Sequence, residues 1–533
     1  MKKQYTLIIL LILFNLSVKG QYSMIPASPL QVCNAVGGQT SVQAFNKGNF
    51  TYVYWMDNRS GKNEVYGQKL DAAGNPQWTA NGKLIVTMNT TLLAFRATGW
   101  QNGTFISYMS NDSCLCKYIN GSGNDVWAQP TMIAKTGNGV IYMDDPGFNV
   151  FPNDSGITIT HATIYIGGSE QFTFNRVDVN GNLRWPPLAN IMTLQGYNYR
   201  TAYDGQNGFF VLSKGNGLGS TMFIKRFDLQ GNSLWPNAID ITSGNNTIGF
   251  GGNIYMHADS AANLFVCWEG NQGSVQVTKL NPNGTFAWPS ERVLANGASA
   301  TNPRRPASKF INNKLYVTWI EDLNGSTFCK IQKLDTAGTQ EFAVTGVTVD
   351  TINYYYCYPK IAVSDSSALS VFYNSTTGVH FSAQRVKSNG TVVWSDGIEL
   401  STVAWQGYDD YAPIDDPNGC NPVFWTTSGN PDIHGARICS DATLVSLFES
   451  SAPTIGVLAY PNPATNVIVF NQLLPDMKSI SLFDLSGRCV ITQALWNQSS
   501  IEMNIGDFQA GLYTYQIKGN NGELVAGGKI IKQ

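Results

Sequence analysis

"LDAAGNPQW", Leu70 to Trp78, places an acidic residue one step in, a glycine three places on and a tryptophan four places after that. The same pattern returns as "YINGSGNDVW" to Trp127, "VDVNGNLRW" to Trp185, "FDLQGNSLW" to Trp235, "LNPNGTFAW" to Trp288, "LDTAGTQEF" to Phe342 and "VKSNGTVVW" to Trp394. Successive aromatics are 49 to 58 residues apart. A repeat of about fifty residues signals a propeller or a solenoid. In five of the seven copies the opener is Asp or Asn and the closer is Trp; the exceptions are Lys387 with Trp394 and Asp335 with Phe342. An Asp or Asn opens such a turn because its side chain bonds the backbone ahead of it, and the glycine supplies the positive φ of a hairpin with a bulge. The short motif is therefore a fold signature, with the aromatic placed to wedge between neighbouring sheets.

Each unit also carries an alternating or continuous apolar strand, among them "FTYVYWMD", "GTFISYMS", "GFFVLSKG", "NLFVCWEG", "KLYVTWIE" and "LSVFYNST". With a short strand before it and two after it, the unit is a four-stranded antiparallel blade. Second strands centre near Trp55, Tyr108, Thr160, Leu212, Trp268, Trp319, Phe372 and Phe424. That count gives an all-β propeller of eight blades, or seven if the weak unit around Thr160 is an insertion. The last unit lacks both the glycine and the tryptophan, and the early run "SPLQVCN" looks like the end of a unit with no beginning. We expect that run to complete the last blade and close the ring. Folding the last unit about "TSGN" sets Cys420 opposite Cys439, which predicts a disulfide.

The chain has 533 residues, a net charge of −2 and 13% charged residues. Average soluble domains carry about 25%. No basic run follows the first few residues, so nucleic acid is not an expected partner. Residues 1–20 read as a signal peptide: Lys2 and Lys3 precede an apolar stretch from Leu7 to Leu13, too short to span a bilayer. No later window is apolar enough to cross a membrane, so the mature chain is expected without a transmembrane span. The propeller is expected over 21–449 and a linker over 450–456. Nine cysteines form no metal spacing, and most read as buried thiols.

A separate segment, 457–533, holds "VLAYPNPATNVIVF", "SISLFDLSGRCVI" and "GDFQAGLYTYQIKGNNGELVAGGKIIKQ". Short alternating strands between Pro, Asn and Gly predict a small C-terminal Ig-like β-sandwich. This tail resembles the C-terminal sorting domain of type IX (Por) secretion substrates of Bacteroidetes-type bacteria. The resemblance rests on Tyr460, Pro461, Asn462 and Pro463, on "LFDLSGR" with Gly487, on Gly511, Leu512 and Tyr513, and on the closing Lys529 and Lys532. It implies export through the type IX secretion machinery, followed by release or attachment to the outer surface. It implies nothing about what the cargo does. The propeller region resembles repeat proteins often found with this tail.

Chemistry is sparsely written. His161, His257, His380 and His434 fall in four different units with no metal spacing. The repeated turn resembles the Asp-box hairpins of sialidase-type propellers, one residue longer on each side of the glycine; Arg200, Arg304 and Arg305 lie in first-strand regions, but nothing in the sequence makes them converge. The acidic pairs Asp144–Asp145, Asp409–Asp410 and Asp415–Asp416 read as solvated loop carboxylates, with calcium as the alternative and no EF-type spacing to support it. No cofactor is expected. Aromatics outside the repeated position gather where one unit joins the next: Tyr197, Tyr199 and Tyr203; Tyr354 and Tyr356; Trp405, Tyr408 and Tyr411. There they either offer a flat amphipathic surface to a glycan or protein, or pack the first strands around the channel. The leading expectation is a secreted or surface-attached binding protein without catalysis. The alternatives are a secreted carbohydrate-active enzyme, glycoside hydrolase or lyase, and an architectural surface component.

Overall fold

The computed structural model describes residues 29–533 except 111–112, 136–138, 143–148, 154, 166–169, 187–190, 193–196, 216–220, 243–252, 271–272, 297–300, 353–356, 365–366, 375–379, 396, 402–410, 418, 428–431, 440–443, 446–456, 485–488 and 520–523. The expected signal peptide and linker lie outside the described residues. The chain divides into two compact units, Met1–Leu447 and Phe448–Gln533.

Among the described residues the first unit holds eight antiparallel sheets. We number these blades 1 to 8 in chain order. Their second strands are Phe50–Asp57, Gly103–Met109, Gly156–Tyr165, Gly208–Lys214, Leu264–Gly270, Lys314–Leu323, Ser367–Asn374 and Cys420–Thr426. The unit around Thr160 is thus a blade. Its first strand comes as two pieces, Gly139–Tyr142 and Asn149–Asn153, both paired to Gly156–Tyr165. First strands adjoin one another in order around the unit, and Tyr411–Pro413 of blade 8 lies beside Gln39–Lys47 of blade 1, so the sheets form a closed ring.

The middle strands have both faces covered, which is why they read as near-continuous apolar runs. In blade 1, Tyr52 and Tyr54 pack with Ile106 and Tyr108 of blade 2. Phe265 and Cys267 of blade 5 meet Leu315, Val317 and Trp319 of blade 6 in the same way. Cys114 and Cys116, two apart on one strand, both fill the interface between blades 2 and 3.

The early run closes the ring. Leu30–Cys33 pairs antiparallel with Ile433–Cys439, Leu30 against Gly435 and Gln31 against His434. Farther along the same edge, Leu444–Val445 pairs with Arg437 and Ile438. Cys420 faces Cys439 across the hairpin of blade 8, and their sulfurs are bonded.

Among the described residues the second unit has seven strands in two sheets. Leu458–Tyr460, Val467–Asn471 and Ser500–Asn504 make one; Ser479–Phe483, Cys489–Ala494, Gly511–Lys518 and Leu524–Lys532 make the other. Ile468, Phe470 and Met503 from the first pack with Ile480, Leu482, Ile517 and Ile530 from the second. The Asn462 amide docks the tail motif on the final strand, donating to Lys529 O at 2.9 Å and accepting from Ile531 N at 2.8 Å. Tyr513 is buried with its hydroxyl on Gln509 O at 2.9 Å, whereas Tyr460 is exposed. Gly487 lies outside the described residues.

Candidate functional site

The repeated turn comes first because it sets the two faces of the ring. Asp71 Oδ1 accepts from Ala73 N at 2.9 Å and from Asn75 N at 2.8 Å, and Asn75 Nδ2 donates to Oδ2 at 3.0 Å. Asp178 and Asp228 repeat all three bonds. Desolvation pulls the carboxyls of Asp71, Asp178 and Asp335 upward, but these hydrogen bonds outweigh it and hold them below the usual range. The glycine does a second job beyond its positive φ. A Cβ on Gly181 would stand 2.8 Å from the Trp127 ring, and one on Gly338 2.8 Å from Trp288. Gly123, Gly284 and Gly390 meet Trp78, Trp235 and Phe342 at 3.2 Å, and Gly231 meets Phe174 instead of Trp185. Trp127, Trp235 and Trp288 also donate their indole N–H to Val179 O, Pro282 O and Thr336 O, the carbonyl after the next blade's opener, at 3.0, 2.8 and 3.4 Å. Trp127, Trp235 and Trp288 therefore latch their blades to the next one, and the motif is architecture.

Two further repeated positions escaped the sequence reading. Three residues before the opener stand Gln68, Asn175, Gln332 and Gln384, all buried. Gln332 Oε1 accepts from Lys333 N at 2.9 Å and Phe342 N at 3.0 Å, while its Nε2 donates to Ala343 O at 2.7 Å. Two residues before the opener stand Lys69, Arg226, Lys279 and Lys333, whose cations reach the next blade's turn at Gly121 O, Pro282 O, Thr336 O and Ser388 O. The signal was present in "GQKLD", "IKRFD", "VTKLN" and "IQKLD".

Strand order puts the first and third turns of every blade on one face of the ring, and the second turn and the blade-to-blade connection on the other. On the turn face Asp415 joins four blades at the axis. Its carboxylate takes Lys309 Nζ at 2.7 Å and Val363 N at 2.9 Å, and its carbonyl takes Asn46 Nδ2 at 3.2 Å. Asp416 pairs with Arg437 at 2.9 Å. These two are structural ties rather than the solvated loop carboxylates expected; Asp144, Asp145, Asp409 and Asp410 lie outside the described residues. No group of three or more metal-ligating side chains gathers among the described residues.

The connection face carries a second set of charged side chains. Arg305, second residue of Arg304–Ile311 in blade 6, has φ +53°. Its N–H donates to Glu269 Oε2 of blade 5 at 2.9 Å, and its guanidinium lies 4.1 Å from the centroid of Tyr358, just before blade 7. A bulge lies between Arg304 and Ala307 of that strand. In blade 4, Lys214 ends its second strand and Arg200 lies on Tyr197–Tyr203. Burial lowers the Lys214 pKa, Arg200 lowers it further, and Glu269 raises it. Arg200 and Glu269 thus both act on Lys214, while Glu269 also holds the backbone N–H of Arg305. Tyr255, in the first strand of blade 5, is 37% exposed.

The aromatics singled out as ligand contacts sort differently. Tyr199 packs on Phe172 with ring centroids 5.1 Å apart, and Tyr411 on Tyr373 at 5.5 Å; both are core residues at blade interfaces. The Tyr411 hydroxyl donates to Tyr358 O. Tyr203 ends its strand at the turn face, stacked on Phe151 at 6.2 Å. Tyr197 begins the same strand at the connection face. Tyr354, Tyr356, Trp405 and Tyr408 lie outside the described residues.

The histidines are fold residues. His257 Nε2 is 3.0 Å from Ser308 O, His380 pairs with Glu399 at 2.8 Å, and His434 stacks on Trp425. His161 is 1% exposed, with Nε2 2.6 Å from Thr173 Oγ1. Burial pushes its pKa from 6.5 down to about 4. The unfolded chain takes up this proton near 6.5, so stability is complete above that pH and falls as pH drops toward 4, by at most about 3 kcal/mol. His161→Gln should flatten the pH dependence of urea unfolding by one proton across that window; an unchanged slope would exclude His161 as its source.

Oligopeptidase B from Trypanosoma brucei, with covalently bound antipain, aligns at TM-score 0.44 and 9% identity over 74% of this chain and 54% of its own. The WD40 domain of SCAP from fission yeast aligns at 0.39 and 8% over 79% and 95%, and polysaccharide lyase Uly1 at 0.37 and 9% over 56% and 77%. This chain spans about half the peptidase's length, and no activity transfers at these levels. No curated protein matches the chain. The family described as secretion system C-terminal sorting domain matches residues 458–533, the stretch that forms the two-sheet sandwich. Residues 458–533 are therefore a C-terminal sorting domain of the type IX secretion kind, which marks a chain for secretion or attachment to the outer cell surface.

Proposed function

We propose that the propeller is a non-catalytic binding module that takes a glycan or protein ligand at its connection face. The observation that carries this reading is the group of Arg305, Glu269 and Tyr358, contributed by three successive blades and held by a backbone at positive φ. Strain of this kind persists where the surroundings hold it and is concentrated at ligand sites. The described carboxylates near it are already engaged: Glu269 by Arg305 N, Glu321 by Lys330 and Trp319, and Asp322 by Arg304. A hydrolase needs two carboxylates flanking a bond, about 5 to 10 Å apart and free to move a proton. The test is a glycan array probed with the mature full-length chain, followed by mass spectrometry of any bound glycan after long incubation. Saturable binding with the glycan intact is the expected result. Shortened products would establish the carbohydrate-active enzyme instead, and absence of any binding would remove the glycan half of the reading.

A further inference from the structure

We propose that the sandwich of the second unit carries a binding site of its own, a cavity beside Trp496 that takes an acidic sugar, with the ring on the indole and its carboxylate or phosphate at Lys478. The site lies within the second unit and does not rest on the propeller reading above.

Two loops build it. Residues 472–478 lead from Val467–Asn471 into Ser479–Phe483, and residues 495–499 lead from Cys489–Ala494 into Ser500–Asn504. Three ties hold them together. Leu473 N donates to Ser499 O at 2.9 Å and Leu495 N to Lys478 O at 2.8 Å. Lys478 Nζ donates to Asn497 Oδ1 across the gap at 3.3 Å, and to Pro475 O of its own loop at 2.9 Å. Leu495 anchors the second loop in the sandwich core, 3% exposed. The next residue, Trp496, is 83% exposed, whereas the other described tryptophans are buried or half-buried. Its backbone is fixed, with Trp496 N on Gln498 Oε1 at 2.7 Å and Asn497 at φ +59°.

Lys478, Ala494, Leu495, Trp496 and Asn497 line a cavity of about 390 Å³. That is the size of a small-ligand site, and its composition has the usual form, an apolar floor with a few convergent polar groups. The polar side chains of the lining donate. Lys478 Nζ keeps one of its three N–H bonds after Asn497 Oδ1 and Pro475 O are served, and with Oδ1 engaged Asn497 has its Nδ2 to offer. No carboxylate lines the cavity; Asp476 is on the first loop but outside the lining. The complement is a ligand that stacks, accepts hydrogen bonds and is negatively charged. A pyranose supplies an apolar C–H face to the indole, and an acid group on it reaches the ammonium. A protein partner would instead extend over Leu474, 40% exposed on the first loop, and would need apolar neighbours to seal the indole from water. The residues that follow the indole are Asn497, Gln498 and Ser499.

The experiment is calorimetric titration of the full chain with a uronic-acid disaccharide, a hexose phosphate, a neutral glucose disaccharide and inorganic phosphate. The acidic sugars should bind saturably, and the neutral disaccharide and inorganic phosphate about tenfold more weakly or less. Binding of one acidic sugar and not the other supports the site and assigns the acid group. Trp496→Ala should weaken acidic-sugar binding about tenfold or more. Lys478→Gln keeps a hydrogen-bonding head without the charge and should bring it to the neutral level, while Leu474→Ala should leave it unchanged. Each variant is used where its unfolding midpoint matches wild type. Equal binding of the neutral disaccharide would overturn the acid, equal binding of inorganic phosphate would overturn the sugar, and binding indifferent to Trp496→Ala would overturn the site. Binding of none of the probes would overturn the proposal whole. A glycan-array signal that belongs to the propeller survives Trp496→Ala, so failure here leaves the propeller reading standing, and failure there leaves this one.

Discussion

Deleting residues 29–34 should destabilise the propeller by about 5 kcal/mol or more, because three side chains leave a closed seam at once. Leu30, Val32 and Cys33 are 2, 6 and 0% exposed. Burying such a side chain stabilises by about 1.5 to 3 kcal/mol. The deletion also strips the edge of Ile433–Cys439, where Leu30 and Gln31 pair, and removes the Cys33 sulfur that Arg59 approaches at 3.2 Å. A ring has no spare edge, so the loss falls on the contact between the first and last blades, through which every other blade is held in register. A domain of ordinary stability, about 5 to 15 kcal/mol, comes close to the unfolding threshold. Denaturant unfolding followed by indole fluorescence reads the propeller almost alone, since Trp496 is the one tryptophan of 13 in the second unit. Gln31→Ala, an exposed position on the same strand, should leave the midpoint nearly unchanged. A cut within 446–456 should also spare it, because the closing strand comes from the other end of the chain. An unchanged midpoint after the deletion would mean that Leu444–Val445 alone seals blade 8.

How much of this could be read beforehand depended on whether a residue's role is periodic. The Asp71-to-Trp78 pattern repeats because each blade needs the same turn and the same wedge, so seven copies expose it. Closure by the early run was legible for the same reason: a fragment without a beginning implies a partner without an end. For Tyr199 and Tyr411 the sequence left ligand surface and packing as two open readings. A side chain on a first strand points either to the channel or to the adjacent blade, and a bulge reverses the phase. The register shifts between Tyr197 and Arg200, and again between Arg304 and Ala307. Such slips leave no mark in the sequence. Gln332 and Lys333 were missed for another reason. Polar residues on a strand normally signal solvent, yet both faces of this strand are covered, and the amide is spent on Phe342 N and Ala343 O. Arg305 illustrates the limit for function. "NPRRPA" shows two cations before a proline, and only the neighbouring blades reveal that Arg304 is tied to Asp322 while Arg305 is laid on Tyr358.

Gly338→Ala should cost about 3 to 4 kcal/mol, and the comparison that gives this meaning is Gly325→Ala. The two glycines have the same φ, +82°. A left-handed conformation costs a residue with a Cβ about 1 to 2 kcal/mol, and both variants incur it equally. Around Gly325 nothing lies within 4 Å of the added carbon. At Gly338 the carbon would stand 2.8 Å from the indole of Trp288 and 2.8 Å from Arg292 Nε. The indole is 4% exposed, packed edge-on to Phe265 at 6.1 Å and bonded to Thr336 O at 3.4 Å. It cannot retreat without loosening blade 5 from blade 6. Overpacking of this kind typically adds about 1 to 3 kcal/mol. The excess of Gly338→Ala over Gly325→Ala therefore measures the wedge between blades. It should shrink in a Trp288→Ala background, where the ring that the new carbon strikes is gone and only the backbone cost and the contact with the Arg292 side chain are left. If both alanine variants lose the same stability in the wild-type background, the repeated tryptophan fills space without holding neighbouring blades together, and the glycine is kept for its turn alone.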